Sequence, residues 1–356
     1  MPSGLFYATT TTTASTATGN TWVRNAAWPT LTAPASSDQQ IVGLHAVWPG
    51  DGTGPGGNYF AFNATGAYTI NYGDGTTTNY ASNTQANYQF DYTATALSGT
   101  NCPVTFTASS STVNRSAHGL SNGAIVRFYG IVTTTGIREN TDYYIVNAAT
   151  DTFQVAASAG GSALTLTGDG SAALLPYKVT TVTITPQSGQ NLTVVNFQLK
   201  NTLAKLQAYA TGWLDLAFSL PQCSGANLTL GGTTISHADL ERVNVVATGA
   251  LTSLANFFYN CTGLRSITAL PSATAVTNMN SMFQGCYALQ TISAFPGSVA
   301  AVTNMSNMFQ YCNSLQTIPA FPGSVAAVTN MGAMFQNCSS LQTIPAFSMA
   351  GVSSSA

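Results

Sequence analysis

Leu289 to Cys312 reads LQTISAFPGSVAAVTNMSNMFQYC, and Leu315 to Cys338 reads LQTIPAFPGSVAAVTNMGAMFQNC. The two segments match at 20 of 24 positions and are offset by 26 residues. Self-similarity at such a period is typical of a solenoid, in which each unit buries its apolar face only against its neighbours. The stretch from Leu254 to Phe347 therefore predicts a stack of repeats.

Each repeat is predicted to form a helix, a strand and a turn. From Met305 the apolar residues fall at i, i+3, i+4, i+7 and i+10, which is the spacing of an amphipathic helix. Asn304 precedes them and is predicted to be the helix N-cap. Ile318 and Phe321 alternate with polar or small residues as a short strand, and the Pro-Gly pair at 322–323 predicts a turn.

The repeating apolar positions predict the structural core of the stack. They are Phe258, Cys261, Leu264, Met282, Phe283, Cys286, Leu289, Met308, Phe309, Cys312, Leu315, Met334, Phe335, Cys338 and Leu341. A cysteine that recurs once per unit behaves as a small buried hydrophobe, so we interpret the four repeat cysteines as reduced thiols rather than disulfide or metal partners. A methionine stripe also suits an adaptable binding groove, but helical spacing favours core packing.

The composition is nearly free of charge. Only 6% of the 356 residues are charged, with nine basic and eleven acidic side chains, and residues 266–356 contain none. Nine basic residues give no positive field to collect phosphates, which argues against nucleic acid as a partner. A neutral surface favours association, which is typical of a protein that works in an assembly.

The amino terminus combines a Thr-rich polar leader with two tryptophans, Trp22 and Trp28. It lacks the basic and apolar regions of a signal peptide, and no window is long and apolar enough for a membrane span. We therefore expect synthesis in a cytoplasm and no membrane insertion. The tryptophans either anchor the leader to a partner or cap the core of the next domain.

Residues 41–92 contain short alternating strands separated by turn clusters. The string Tyr68 to Thr76, YTINYGDGT, resembles the hairpin of polycystic kidney disease (PKD) type immunoglobulin-like sandwiches, with Tyr72 at a position that is usually aromatic. In this structural turn Gly75 is expected to take positive φ and Asp74 to bond the backbone two residues on. The final strand of such a sandwich appears only at Tyr177 to Thr185, so residues 100–174 are predicted to be an insertion.

The insertion has motifs of its own, among them SAHGLSNG from Ser116 and YYIVN from Tyr143. They resemble a small β-barrel module of phage tail and fibre proteins that is related to the first catalytic cysteine half-domain (FCCH) of ubiquitin-activating enzymes. His118 lies in a turn before Gly119, and we interpret it as structural.

The repeats resemble the BspA-like leucine-rich repeats of bacterial surface proteins and some phage structural proteins. The predicted domains are a leader or anchor at 1–34, a PKD-like sandwich at 35–99 plus 175–200, and the inserted FCCH-like module at 100–174. A connector and solenoid cap at 201–250, charged through Asp239, Glu241 and Arg242, precedes the repeats at 251–356. The predicted fold class is mainly β: an immunoglobulin/PKD-like sandwich with an inserted small β-barrel, followed by a C-terminal α/β leucine-rich-repeat solenoid.

These resemblances imply a non-enzymatic virion structural protein of a tailed phage that displays its repeats for host-surface attachment or particle decoration. The expected partners are other virion proteins, a host cell-surface glycan or protein, and further copies of the chain in a homo-oligomer. The alternative is a bacterial cell-surface adhesin, which requires an export route. Under this interpretation the protein acts in the virion or, alternatively, on a bacterial surface.

An enzyme is the third hypothesis, and the residues argue against it. Glycoside hydrolysis needs two facing carboxylates. The candidates lie in separate modules and mostly in turns: Asp74, Asp91, Asp142, Asp151, Asp169 and Asp215. Three scattered histidines offer no Ser-His-Asp grouping. We therefore expect no catalytic residue, no cofactor and no metal site.

Overall fold

The structure is a computed structural model that describes residues 28–47, 59–90, 102–138, 141–199, 201–202, 212–232 and 237–345. Several sequence predictions lie outside these residues. They concern most of the leader with Trp22, part of the strand and turn region at 41–92 including Asp91, and Phe347 of the last repeat.

The described part of the chain is mainly β, which confirms the coarse prediction. Its strands are β1 (Gln40–Val47), β2 (Tyr59–Thr65), β3 (Tyr68–Asn71), β4 (Thr77–Tyr80), β5 (Ala86–Gln89), β6 (Cys102–Thr107), β7 (Thr112–Asn114), β8 (Ile125–Val132), β9 (Tyr143–Val146), β10 (Thr152–Ala156), β11 (Gly170–Pro186), β12 (Val194–Asn196), β13 (Trp213–Leu220), β14 (Leu228–Thr229), β15 (Arg242–Thr248) and β16 (Ser266–Ala269). A 3₁₀ turn spans Ala108–Ser110. Within the described residues, no helix is both long and apolar enough to cross a membrane.

Two sheets face each other across an aromatic core. One contains β4, β3, the second half of β11, β1 and β13, and the other is ordered β14, β12, β2, β5. Phe60 of β2 packs edge to face on Tyr72 and on Trp213 of β13. Phe62 of β2 packs in the same way on Tyr68 of β3. These rings are fully buried, so the hydrophobic effect holds the two sheets together.

A closed six-stranded barrel follows β5. Its order is β11, β6, β7, β10, β9, β8, and β8 pairs back onto β11 to complete the ring. The barrel encloses its own core, which includes Phe106, Phe128 and Phe153. Strand β11 belongs to both units: its residues up to Tyr177 pair with β8, and from Lys178 onward they pair with β1.

The two sheets continue without a break into the repeat stack. Strand β13 is antiparallel to β1 on one side and parallel to β15 on the other, and β15 is parallel to β16. On the opposite side β14 is parallel to β12. One core cluster therefore runs from Ile41 to Met334. Residues 201–250, expected to be a connector and cap, supply strands to both sheets.

The predicted helix of each repeat is wrong, and with it the α/β description of the solenoid. The described residues contain no α-helix, and residues 304–315 form consecutive tight turns. Asn307 and Tyr311 take φ of 55° and 64°, in the left-handed region that an α-helix excludes. A chain of four-residue turns also directs residues three and four apart to one side, which is why the apolar spacing resembled a helix.

Hydrogen bonds between repeats replace those of the predicted helix. The N–H groups of Met305, Asn307, Phe309 and Tyr311 donate to carbonyl oxygens of the following repeat at 2.8–2.9 Å. Residues between them, such as Met308, donate to the carbonyl three residues back. Each turn is thus bonded both to itself and to the next turn of the stack.

Two further predictions for the repeat, the N-cap at Asn304 and the short strand, differ from the structure. Asn304 is not a helix N-cap, because its Oδ1 accepts the N–H of Ser306 at 2.9 Å in an Asx turn. The short strand forms in the first copy as β16, whereas the later copies show a single isolated bridge between Thr317 and Thr343. The turn glycines Gly297 and Gly323 take φ of 77° and 86°.

Candidate binding surface

A column of phenylalanine rings runs through the interior of the repeat stack. Phe258, Phe283, Phe309 and Phe335 stack almost parallel, with successive ring centroids 5.4, 5.4 and 5.7 Å apart. A second stacked pair, Phe295 and Phe321, has centroids 5.7 Å apart. Because equivalent side chains repeat at the spacing of the turns, the interior has the regularity expected of a solenoid.

The repeat cysteines connect neighbouring turns. The Sγ–H groups of Cys286, Cys312 and Cys338 donate to a phenylalanine carbonyl oxygen of the preceding repeat at 3.0–3.1 Å. All six cysteines of the chain are free thiols. Burial raises the pKa of Cys261 to about 12 and the pKa values of Cys286 and Cys312 well above their ordinary value. These thiols are therefore protonated and act as donors.

The predicted core residues differ in burial along the stack. From Phe258 to Met334 they are buried, whereas Phe335, Cys338 and Leu341 are only partly buried. Ile344, in the same last described repeat, is 47% exposed. Each repeat is covered by the one that follows it, and no further repeat covers this one within the described residues.

Uncharged polar ladders form the outer face of the stack. Thr277, Thr303 and Thr329 each donate their N–H and their Oγ1–H to the carbonyl oxygen of the threonine one repeat earlier. Gln284 Nε2 donates to Gln310 Oε1 at 2.5 Å, and Gln310 donates in turn to Gln336. Amides and hydroxyls therefore hydrate this face in place of charge.

Two tyrosines interrupt this polar face. Tyr287 and Tyr311 are 45% and 39% exposed, and their ring centroids lie 6.5 Å apart. Neither tyrosine was predicted from the sequence to be functional. The sequence contains a signal for Tyr311: it is aligned with Asn337, at one of the four positions where the two segments differ.

The Asp74–Gly75 turn lies at the end of β3. Asp74 Oδ1 accepts the N–H of Thr76 at 2.9 Å, and Asp74 Oδ2 accepts the hydroxyl of Tyr88 at 2.6 Å. Burial alone raises the Asp74 pKa, but the hydrogen bonds from Tyr88 and Thr76 outweigh it and lower the pKa below its ordinary value. Gly75 takes φ of 98°, which a side chain would strain. The arrangement is that of a structural turn.

The other described aspartates that were candidates for catalysis are bound to separate partners. Asp151 accepts from Ser116 Oγ and the Ala117 N–H, whereas Asp169 accepts the Ala108 N–H. Buried Asp215 holds Arg242 through two bonds of 2.7 and 2.8 Å. Asp142 is bound to Arg127. The structure brings no two of these carboxylates together as a facing pair.

The histidines are separated in the same way. His118 Nδ1 accepts the N–H of Leu120 at 3.0 Å, and its ring packs on Phe153. His45 is fully buried against Phe60, Phe90 and Trp213, and His237 is also fully buried. Among the described residues, no group of three or more His, Cys, Asp or Glu side chains is arranged to hold a metal ion.

A buried ion cluster joins the barrel to the first repeat. Arg127 of β8 contacts Asp142 at 2.5 Å, Asp239 at 3.1 Å and Glu241 at 3.3 Å. The Arg127 side chain is only 4% exposed. Two of the charged residues of the predicted solenoid cap, Asp239 and Glu241, therefore lie against Arg127 of the barrel, whereas the third, Arg242, is bound to Asp215.

Comparison with known proteins identifies only the repeat region. Residues 240–355 match a family described as "Mycoplasma protein of unknown function, DUF285". The matched range begins just before β15 and covers less than half of the chain. No curated protein and no solved structure matches this chain.

Proposed function

We propose that this protein is a non-enzymatic structural protein of a tailed-phage virion, located on the tail, on a fibre or as a particle decoration. It presents its repeat stack for attachment to the host surface. In finer terms, the two facing sheets are a PKD-like immunoglobulin sandwich, the barrel is an FCCH-like module, and the stack is a BspA-like leucine-rich-repeat solenoid built without helices.

The observation that carries this proposal is the closed six-stranded barrel. It is formed by the segment whose sequence resembles the phage tail and fibre module, and His118 holds the turn of that segment through the Leu120 N–H. The first described strand of the insertion, β6, begins at Cys102 opposite Leu174 of β11, so the two ends of the inserted segment lie side by side. Insertion at such a site is compatible with the host fold.

The repeat stack supports the attachment role. It is an extended, charge-free face fused to a rigid sandwich, and an extended repeat surface suits contact with several receptors at once. The partly exposed apolar side chains of the last described repeat, Phe335, Leu341 and Ile344, support association with other virion proteins or with further copies of the chain.

A particle-fractionation experiment tests the proposal. Antibodies raised against the repeats are applied to virions purified on a density gradient and to uninfected cells. We expect the polypeptide to co-purify with infectious particles at a fixed copy number and to be absent from the uninfected cells. Its absence from the particles would contradict the virion assignment.

The alternative is a bacterial cell-surface adhesin with BspA-like repeats. One observation favours it: the family matched by residues 240–355 is described from Mycoplasma, which is a cellular source. In the same experiment this alternative predicts antibody labelling of intact uninfected cells.

A further inference from the structure

We propose that Tyr287 and Tyr311 form a binding site for a neutral polysaccharide chain. This inference rests on the proposed attachment function and names the chemical class of the receptor. Both rings lie on a stack whose sequence from residue 266 onward contains no charged side chain. Each is more than a third exposed, and their centroids are 6.5 Å apart.

The backbone at Tyr311 indicates that its ring is not there to help folding. Tyr311 takes φ of 64°, in the left-handed region, where a bulky side chain is strained. The same position of the turn is Asn260, Gly285 and Asn337 in the other repeats, and glycine and asparagine tolerate that conformation best. A strained residue with an exposed side chain points to a role in binding.

Tyr287 also differs in residue type from the other repeats, although its φ is not positive. Its equivalents in the two following repeats are Asn313 and Ser339, which are polar and exposed. The interior phenylalanines and cysteines beside these positions are unchanged from repeat to repeat. The two tyrosines are therefore a local modification of the outer face and not part of the core template.

The chemistry beside the rings fits a sugar polymer. Gln310 directly precedes Tyr311 and belongs to the ladder of Gln284, Gln310 and Gln336, which uses one N–H of each donating amide and leaves the second for a hydroxyl. Tyrosine rings offer rigid apolar faces with a polar tip, against which the C–H face of a pyranose packs. The glutamine ladder recurs once per turn, so a chain lying along the stack meets an amide group at each turn.

The lack of charge on the stack and the small size of the site both favour a neutral glycan. The first disfavours an anionic glycan and the second a protein partner. An acidic polysaccharide needs basic side chains, and residues 266–356 supply none. A protein partner of ordinary affinity needs a buried core ringed by polar groups over an interface of roughly 1,200–2,000 Å². Two adjacent rings beside a regular amide ladder instead suit a narrow, repetitive ligand.

Affinity electrophoresis of the full-length protein tests the site. Native gels contain dextran, galactomannan or xyloglucan as neutral probes and dextran sulfate as the anionic control. We expect at least one neutral polysaccharide to retard the protein and dextran sulfate to have no effect. Tyr311→Asn and Tyr287→Asn restore residues found in neighbouring repeats and should each reduce affinity about tenfold, the loss of one aromatic contact.

Thermal melting separates binding from folding. Because Tyr311→Asn removes backbone strain, we expect it to raise the melting temperature while affinity falls. The matched control is Val132→Ala, which removes an exposed apolar side chain from the barrel and should change neither the affinity nor the melting temperature by much. A double variant Y287N/Y311N that binds as tightly as the parent would overturn the inference.

Two other outcomes also decide against it. If none of the neutral polysaccharides retards the protein, the site does not bind this ligand class. If Tyr311→Asn lowers the melting temperature and leaves binding intact, the ring serves folding. A protein that is absent from virions yet binds polysaccharide through these rings would sink the proposed function alone.

Discussion

The thiol of Cys312 donates a hydrogen bond of 3.1 Å to the carbonyl oxygen of Phe283, one repeat earlier. That same carbonyl oxygen accepts the N–H of Cys286 at 3.1 Å within its own turn. Both lone pairs of a buried carbonyl are thus satisfied, one locally and one by the next repeat. The recurring cysteine therefore serves as a polar link as well as a core hydrophobe.

Thiol accessibility should follow this arrangement. Cys286 and Cys312 are fully buried, with pKa values raised by burial, whereas Cys338 is only partly buried. Since the thiolate is the reactive form, we expect an aromatic disulfide reagent to modify Cys338 first and the other thiols more than about tenfold more slowly. Absorbance of the released thiol measures the rates. Cys338→Ser should remove the fast phase, and rapid reaction of several thiols would contradict the burial.

The left-handed turns predict an unusual effect of glycine. Ala333 takes φ of 54°, so Ala333→Gly should relieve strain and stabilise the protein by about 1 kcal/mol. In a helix the same substitution would destabilise it by about 1 kcal/mol. Chemical denaturation of the variant measures the sign.

Ala327 is the control for that substitution. It is exposed in a neighbouring turn and has no positive φ. Ala327→Gly should therefore destabilise the protein by roughly 0.5–1 kcal/mol through backbone entropy. If Ala333→Gly and Ala327→Gly changed the unfolding free energy by the same amount, the left-handed conformation at Ala333 would be contradicted.

The ion cluster predicts a large cost for removing its cation. Arg127→Met removes the buried cation that Asp142, Asp239 and Glu241 share, so we expect a loss of about 3–5 kcal/mol of unfolding free energy. Arg265→Met is the matched control, because Arg265 is 38% exposed and lies 4.0 Å from Glu241. It should cost less than about 1 kcal/mol. Similar losses for both variants would show that burial of the cluster is unimportant.

Stability should fall as the pH is lowered through the range in which free histidine gains its proton. Burial lowers the pKa of His45 to about 3 and that of His237 to about 4, against an ordinary value of 6.5. The unfolded chain then binds more protons than the folded protein between pH 6.5 and 4. Unfolding free energy should therefore drop by about 1.4 kcal/mol per pH unit for each histidine.

Denaturant titrations at pH 7.5, 6.0 and 5.0 measure this slope. The double variant H45Q/H237Q should lose this fall in unfolding free energy over the same pH range. The raised pKa of Asp239, caused by burial, acts with the opposite sign and stabilises the folded state as the pH falls. An unchanged slope in the double variant would rule out the two histidines as the cause.

The sequence was most informative where local chemistry decides the structure. The Asp74–Gly75 turn needs only a hydrogen-bond acceptor and a residue that tolerates positive φ. Both requirements follow directly from the residue types. The stacked column of Phe283 and Phe309 also follows from the repeat itself. The turns at Asn307 and Tyr311 could not be foreseen, because a spacing of three and four is shared by a helix and by consecutive tight turns, and hydrogen bonds to the next repeat decide between them.

Contacts between residues far apart in sequence could not be predicted either. The pairing of β13 with both β1 and β15 joins segments far apart in sequence, and no local pattern encodes it. The contact of Arg127 with Asp239 spans 112 residues. Tyr311 was missed for a different reason: its strain is a property of the backbone and not of the residue type.

The double pairing of β13 also has a mechanical consequence. A pulling force along the stack reaches β1 through the hydrogen bonds between β13 and β1, which lie along the direction of the force and share it over the length of the strand pair. A load on the repeats is therefore transmitted to the sheet that contains β1 as tension across a whole strand.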